Sequence, residues 1–341
     1  MGDLGSLMSA RRLVAVVVTY NRLNKLQDTV ARLLEAAPAD LAAVVVVDNA
    51  STDGTAAWLA NQSDPRLDVV SSARNDGGAG GFGRGMTRAL AAHRPDWLVL
   101  MDDDGRPAPG ALAAFHALDP ETQGWDGVAA AVYYPDGAIC DMNRPSRNPF
   151  RHVSVFVRSV LRLGGRSGFH LKPEVYQGDV PCPIDITSFV GFFVSKKAVE
   201  AAGVPDPGLF VYGDDGLYTL GLSQAGRQLV FHPRVRFEHD CATFAAQDGR
   251  FQPLWKVYYY HRNLMFLYHA AAGWMFWPVM AVILPKWLLK GARHRGERRV
   301  FYRLLARAVW DGFRSDTSRS HAQVLALSAV EDGKVMPAQK Q

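Results

Sequence analysis

Trp97-Leu98-Val99-Leu100-Met101-Asp102-Asp103-Asp104-Gly105-Arg106-Pro107 is the stretch on which the fold turns. Its apolar half predicts a buried strand, and Gly-Arg-Pro forces the chain to turn directly after it. Three carboxylates at the carboxyl end of such a strand repel one another and lose hydration. A cation offsets both costs, and hard oxygen donors at this density suit Mg2+ or Mn2+. Such ions commonly serve phosphate-bearing substrates. The competing reading is a solvated acidic turn, because turns favour Asp. What stands around the triplet decides between them.

Upstream, Leu13–Val18 is an unbroken, mostly β-branched run, as in a strand covered on both faces. Residues 24–37 place Leu26, Val30, Leu33 and Leu34 on one helical stripe. Ala43–Val47 reads as a second strand, 55–61 as a helix, Leu67–Val70 as a third strand and 84–93 as another helix. This alternation predicts an α/β fold with a mostly parallel, Rossmann-like, doubly wound sheet. Ligands of such sheets bind at the carboxyl ends of the strands. Thr19–Arg22, Asp48–Asp53, the segment from Asn75 and the acidic triplet all fall at those ends.

The glycine-rich segment 75–85 invites a second reading. Gly78-x-Gly80-x-x-Gly83 matches the dinucleotide fingerprint, with Asp102 about 20 residues on. Taken literally it predicts an NAD-dependent dehydrogenase. That fingerprint belongs on the first strand–helix turn, however, where this chain has Thr19-Tyr20-Asn21-Arg22. A cofactor ribose also needs one acid, not three. A glycine-rich turn before a helix equally cradles a phosphate or lets a sugar approach the backbone.

A chain of 341 residues with 48% hydrophobic and 21% charged residues is folded, not disordered. Cys140, Cys182 and Cys241 are odd in number and lack any Cys-x-x-Cys pair. This argues against a disulfide framework or structural zinc, and for a reducing compartment. No leader-like apolar run is evident near the start, so the expected location is cytoplasmic, peripheral on the inner face of the cell membrane.

The net charge is +5, yet residues 286–319 alone hold ten Lys or Arg against three acids, which leaves the remainder at −2. Basicity therefore belongs to the C-terminal region. Just before it, 264–285 is a 22-residue stretch without Asp, Glu, Lys or Arg that contains Trp274 and Trp277. As a helix it would reach roughly 33 Å, close to a bilayer core. His269, Gly273 and Pro278 disfavour a straight span. A re-entrant or interfacial helical pair on an anionic leaflet fits better, the alternatives being a buried helix or a protein interface. The expected partner is a membrane surface, not nucleic acid.

Six stretches, in this order and spacing, resemble family 2 inverting glycosyltransferases of the GT-A fold: 16–22, 46–55, 75–85, 102–105, 213–218 and 260–263. The resemblance spans residues 12 to 265, and the glycine-rich segment followed by Asp-Asp-Asp-Gly is most similar to bacterial galactofuranosyltransferases and rhamnosyltransferases. It implies a GT-A catalytic domain over 12–245, while charge and hydropathy predict a helical, basic, membrane-associating region over 246–320 and a disordered tail over 321–341. It implies that Thr19, Arg22, Asp48, Asn49, Asn75, Gly80, Asp102 and Asp103 contact the nucleotide-sugar, with Asn49 replacing a commoner second Asp. Asp102 and Asp104 correspond to the two ends of the Asp-x-Asp metal motif, and His239 to a histidine that completes the metal shell.

Asp215 corresponds to the general base, with Asp214 second. A predicted strand over 209–212 and helix over 217–225 would put both at a helix N-terminus, where a purely capping role is the alternative. Phe192 and Phe193 either line the acceptor side or belong to the core. Residues 140–180, rich in Arg, read as a solvated basic loop or one that handles a lipid diphosphate. The implied donor is UDP-galactofuranose, with dTDP-rhamnose second, and the implied acceptor is a lipid-linked glycan. Linkage, processivity and assembly as a homo-oligomer stay open at this stage.

Overall fold

The computed structural model describes residues 11–241 and 250–329. Fully buried apolar runs become strands and amphipathic runs become helices around them. In order they are β1 (Leu13–Thr19), α1 (Leu23–Leu34), β2 (Ala43–Asp48), α2 (Thr55–Ala60), β3 (Leu67–Ser71), α3 (Gly77–His93), β4 (Trp97–Asp102) and β5 (Gly105–Pro107). Next come α4 (Ala111–Ala117), β6 (Gly127–Tyr133), α5 (Val153–Leu161), β7 (Cys182–Pro183), β8 (Phe192–Ser195), α6 (Lys196–Ala202), α7 (Asp214–Gln224) and β9 (Leu229–His239). The C-terminal region adds α8 (Lys256–Ala272), α9 (Phe276–Lys290), α10 (Arg298–Phe313) and α11 (His321–Ser328).

Among the described residues the sheet runs β3-β2-β1-β4-β8-β6-β9-β5, with β7 on β9. The β3, β2, β1 and β4 strands are parallel, while β8 is antiparallel to β4 and β6. The carboxyl ends of β1, β2 and β4 thus share one edge, with Thr19 beside Asp48 in register and Val18 beside Asp102. One face of the sheet is covered by Leu26, Val30, Leu33 and Phe115, the other by Phe82, Met86 and Leu222. Phe192 and Phe193 are fully buried in β8 and belong to this core.

Four expectations change. The glycine-rich segment is not a turn before a helix: it is the first half of α3 itself. Glycine normally weakens a helix, and here close approach explains its use. A Cβ at Gly85 would lie 2.4 Å from Val16 Cγ1, and one at Gly81 2.5 Å from Val18 Cγ1, so α3 packs directly on β1. Second, residues 209–212 form no strand but a tight turn, described below. Third, the arginine-rich loop contains a helix, α5. Fourth, disorder from residue 321 does not hold for 321–328, where α11 opens on a Ser320–Gln323 capping box and buries Val324; the rest of that expected tail lies outside the described residues.

Lys256–Arg293 is long and apolar enough, by length and composition, to cross a membrane. The chain nevertheless reverses at Gly273, whose φ is 54°. Trp287 of α9 returns to within 4.8 Å of His261 on α8, and Phe276 lies 5.1 Å from His269. The α8–α9 pair is a hairpin.

Gly85→Val would force β1 and α3 apart. A loss of roughly 1–3 kcal/mol is expected from overpacking, read as a lower midpoint in urea unfolding.

Candidate active site

Burying a run of aspartates requires partners, and the chain supplies them from three elements. The Thr19 hydroxyl at the end of β1 donates to Asp103 Oδ2 (2.8 Å). Arg22 Nη1 donates to Asp103 Oδ1 (2.9 Å) and to Asp104 Oδ2 (2.7 Å). From β9, whose end pairs with β5, His239 Nε2 lies 3.1 Å from Asp104 Oδ1. Asp103 and Asp104 are buried and Asp102 half-buried.

The charges respond accordingly. Burial, then the charges of Asp104 and Asp103, push Asp102 up to about 7. Burial likewise raises Asp103 to about 6, even against Arg22. Asp104 moves the other way: burial opposes its charge, but His239 and Arg22 hold it below the ordinary carboxylate range. Burial disfavours the His239 cation, yet hydrogen bonding to Asp104 and to the thiols of Cys140 and Cys241 pushes it up to about 12.

The other face of the His239 ring is fixed by a residue that sequence reasoning missed. Asn143 Oδ1 lies 2.7 Å from Nδ1 and also accepts from the Cys140 thiol (2.9 Å), while the Asn143 amide nitrogen donates to Ser188 Oγ (2.8 Å). Nδ1–H therefore donates to Asn143, and Nε2 is the nitrogen presented to Asp104. Two carboxylates and an imidazole oriented by a hydrogen bond at its far nitrogen fit a divalent ion of the Mn2+ type. The burial and like charges that raise Asp102 are costs that a bound cation would offset. Cys140 and Cys241, distant in sequence, meet His239 here, with the three ligand atoms within 4.8 Å of one another.

Asp214 and Asp215 open α7 across the same site. Burial, the charge of Asp215 and that of Asp102 raise Asp214 well above the ordinary range. Burial lifts Asp215 to about 6, with the Gly216 N–H pulling the other way at 2.6 Å from Oδ1. The loop before them is strained. The Val211 N–H donates to the Leu209 carbonyl (2.8 Å) across Phe210, whose φ of 65° and ψ of −69° mark a γ-turn that non-glycine residues rarely adopt.

This turn is held from every side. Asn263, fully buried on α8, donates one amide nitrogen to the carbonyls of Leu209, Val211 and Tyr212 (2.9, 3.0 and 2.8 Å). Arg262 donates to the Gly208 carbonyl (2.7 Å). The Phe210 ring stacks on Tyr259 and on His321 of α11, with centroids 4.7 and 4.3 Å apart. The Phe210 carbonyl accepts from Ala79 N–H (3.1 Å) and would lie 2.0 Å from a Cβ on Gly77, whose φ is +70°. Glycine is required there so that α3 can touch the turn carrying Asp214 and Asp215.

Of the other expected contacts, Asp48 is buried and accepts from Ser51 N–H (2.9 Å). Asn49 is spent on structure: its amide donates to the Gly77 carbonyl (2.9 Å). Asn75 Oδ1 accepts from Gly77 N–H (2.8 Å) and shapes the start of α3. Gly80 sits inside α3 against Asp76 and Pro207, a packing position. Lys256, which no motif flagged, is depressed first by burial and then by Arg22, so a second cation stands near Arg22.

The sequence model of glycosyl transferase family 2 matches residues 14–161. A galactofuranosyltransferase GlfT1 of Mycolicibacterium smegmatis is 32% identical over 235 residues, 67% of this chain and 71% of that protein. The chain belongs to glycosyl transferase family 2. The GlfT1 of Mycobacterium tuberculosis is 30% identical over 207 residues, 59% of this chain and 61% of that protein. Two solved structures share the fold. GalNAc-T7 with UDP, GalNAc and Mn2+ superposes with a TM-score of 0.53 at 16% identity, covering 75% of this chain and 48% of that one. The mannosyltransferase PcManGT of Pyrobaculum calidifontis, in complex with GDP-Man and Mn2+, gives 0.50 at 17% identity, covering 93% and 78%. The protein is thus a glycosyltransferase of GT-A-like fold. Family membership and the packing role of the α3 glycines dispose of the dehydrogenase reading.

Asn263→Ala removes the side-chain donor shared by the carbonyls of Leu209, Val211 and Tyr212 and loosens the Phe210 turn. Turnover should fall while UDP affinity is unchanged, with roughly 1–3 kcal/mol of stability lost; steady-state kinetics beside calorimetry separates these effects.

Proposed function

We propose that this glycosyltransferase moves galactofuranose from UDP-galactofuranose, with inversion, onto a lipid-linked glycan at the inner face of the membrane. One observation supports the reading: Asp102, Asp104 and His239 gather at one edge of the sheet, and the charge of Asp102 reaches Asp214, which opens α7 directly before Asp215. One group suits a cation and the other a proton. The GlfT1 relatives support galactofuranose as the sugar. dTDP-rhamnose is the second candidate donor, since the residues described do not distinguish the two sugars.

Asp102, Asp104 and His239 would hold Mn2+ or Mg2+. When bound, the ion neutralises the diphosphate as the sugar's C1–O bond breaks. Arg22 and Lys256 supply fixed positive charge on the diphosphate side, and Thr19 with Arg22 keeps Asp103 from drifting into the metal position. Asp48, buried at the end of β2, accepts from the nucleotide base in this reading. Asp215 takes the proton of the acceptor hydroxyl as that oxygen attacks C1 from the face opposite the leaving nucleotide. Burial helps here, because a carboxylate lifted to about 6 is a stronger base than an ordinary aspartate and still ionised at neutral pH.

Two outcomes follow for transfer from UDP-galactofuranose to membranes carrying acceptor. Asp215→Asn should cut turnover about 10²–10⁴-fold, the usual contribution of a general base, with UDP binding retained. The wild-type rate should fall as pH drops through about 6, because protonation removes the base. A rate indifferent to Asp215 would reassign the base, and faster transfer from dTDP-rhamnose would reassign the donor.

A further inference from the structure

Helix α5 is amphipathic but faces the wrong way for a soluble protein. Its inner side buries Val155 and Ser159, the latter against Gly168. Its outer side exposes Val153, Val157, Val160 and Leu161 at helical spacing, followed by exposed Leu163. Val153 and Leu161 are 81% and 77% exposed. No described part of the chain covers this stripe.

The stripe does not stand alone, because α5 lies along the α8–α9 hairpin. At one end the Asn148 amide donates to the Ala271 carbonyl by the hairpin turn (3.0 Å). At the other, Lys286 Nζ on α9 donates to the Leu163 carbonyl (3.0 Å). The hairpin exposes an apolar stripe of its own, from Trp274 (84% exposed) and Trp277 through Val282 to Leu289. Two unpartnered apolar stripes are thus tied to one another at both ends of α5, more than scattered surface hydrophobics.

Charge identifies the occupant. Residues 142–178 hold seven Lys or Arg against one acid, Glu174, and Lys286, Lys290, Arg293 and Arg295 close the hairpin with no acid among them. Arg162, Arg166, Arg293 and Arg295 are exposed where the two stripes end. Apolar stripes with interfacial tryptophans and a cationic rim fit an anionic lipid surface.

We infer that α5 and the α8–α9 hairpin form one membrane-docking face, with α5 lying in the headgroup region of an anionic bilayer. The inference rests on the membrane association proposed above and adds a second, separate contact to it. Two anchors on different parts of the fold fix the protein's rotation on the surface, so the site edge meets lipid-borne acceptors in one orientation.

The test is flotation of the full chain with phosphatidylcholine vesicles, with and without phosphatidylglycerol. Wild type should bind the anionic vesicles, less so at high salt. Val157→Ser with Leu161→Ser, exposed positions that leave the melting temperature unchanged, should weaken binding about tenfold, the scale expected for two apolar side chains. Trp274→Ser with Trp277→Ser should weaken it comparably. If only the tryptophan pair matters, the hairpin docks alone and the α5 inference is overturned. If wild type binds no vesicle, both membrane readings fall, while metal-dependent UDP binding by the same sample leaves the transferase reading standing. Self-association abolished by the α5 pair, seen in sedimentation, would overturn the lipid assignment in favour of a second copy.

Discussion

Everything at this site depends on the cost of placing Asp102, Asp103 and Asp104 at the buried end of β4. Like charges within one short segment of low dielectric cannot all ionise without compensation. The fold answers with Thr19 and Arg22 from the first strand–helix connection and His239 from the last strand. Sheet order makes this answer possible, since β1 lies beside β4, and β9 reaches the triplet through β5. Compensation remains incomplete at Asp102, and an ion bound between Asp102, Asp104 and His239 would complete it. Asp102, Asp104 and a His239 ring free of its Nε2 proton would hold the ion.

A second constraint ties the C-terminal helices to the chemistry. The γ-turn at Phe210 is costly for a residue with a side chain, and Asn263, Arg262, Tyr259 and His321 hold it in place. Three of these lie on α8, and the fourth on α11. Helices after the sheet are therefore not a detachable appendage: their inner sides brace the loop that sets Asp215, while the outer side of the hairpin is apolar and exposed. One region holds the base and, in the account proposed here, meets the lipid.

Much of this was legible in the sequence because it rests on local pattern. Unbroken valine runs gave the parallel half of the sheet, and acid-bearing strand ends gave the site's edge. Asp104 and His239, far apart in the chain, meet at the end of the sheet. What failed was what depends on tertiary approach. Glycines at 77, 81 and 85 read as a turn because helix propensity forbids them, whereas close packing on Val16, Val18 and Phe210 requires them. The stretch 209–212 has the composition of a strand and is a turn, because buried side chains on α8 satisfy its carbonyls. Asn143 and Lys256 carry no motif at all. Residues 321–328 read as part of a disordered tail, yet His321 packs on Phe210, Trp255 and Tyr259.

The central claim is that the acidic cluster holds a divalent ion against a nucleoside diphosphate. Calorimetry of the full chain with UDP, with and without Mn2+, addresses it most directly, using Asp104→Ala as the control. The account predicts UDP binding that requires Mn2+, releases a proton from His239 at neutral pH, and is lost in Asp104→Ala. Equal UDP affinity with and without Mn2+, or in Asp104→Ala, would contradict it and return the aspartates to a purely structural role.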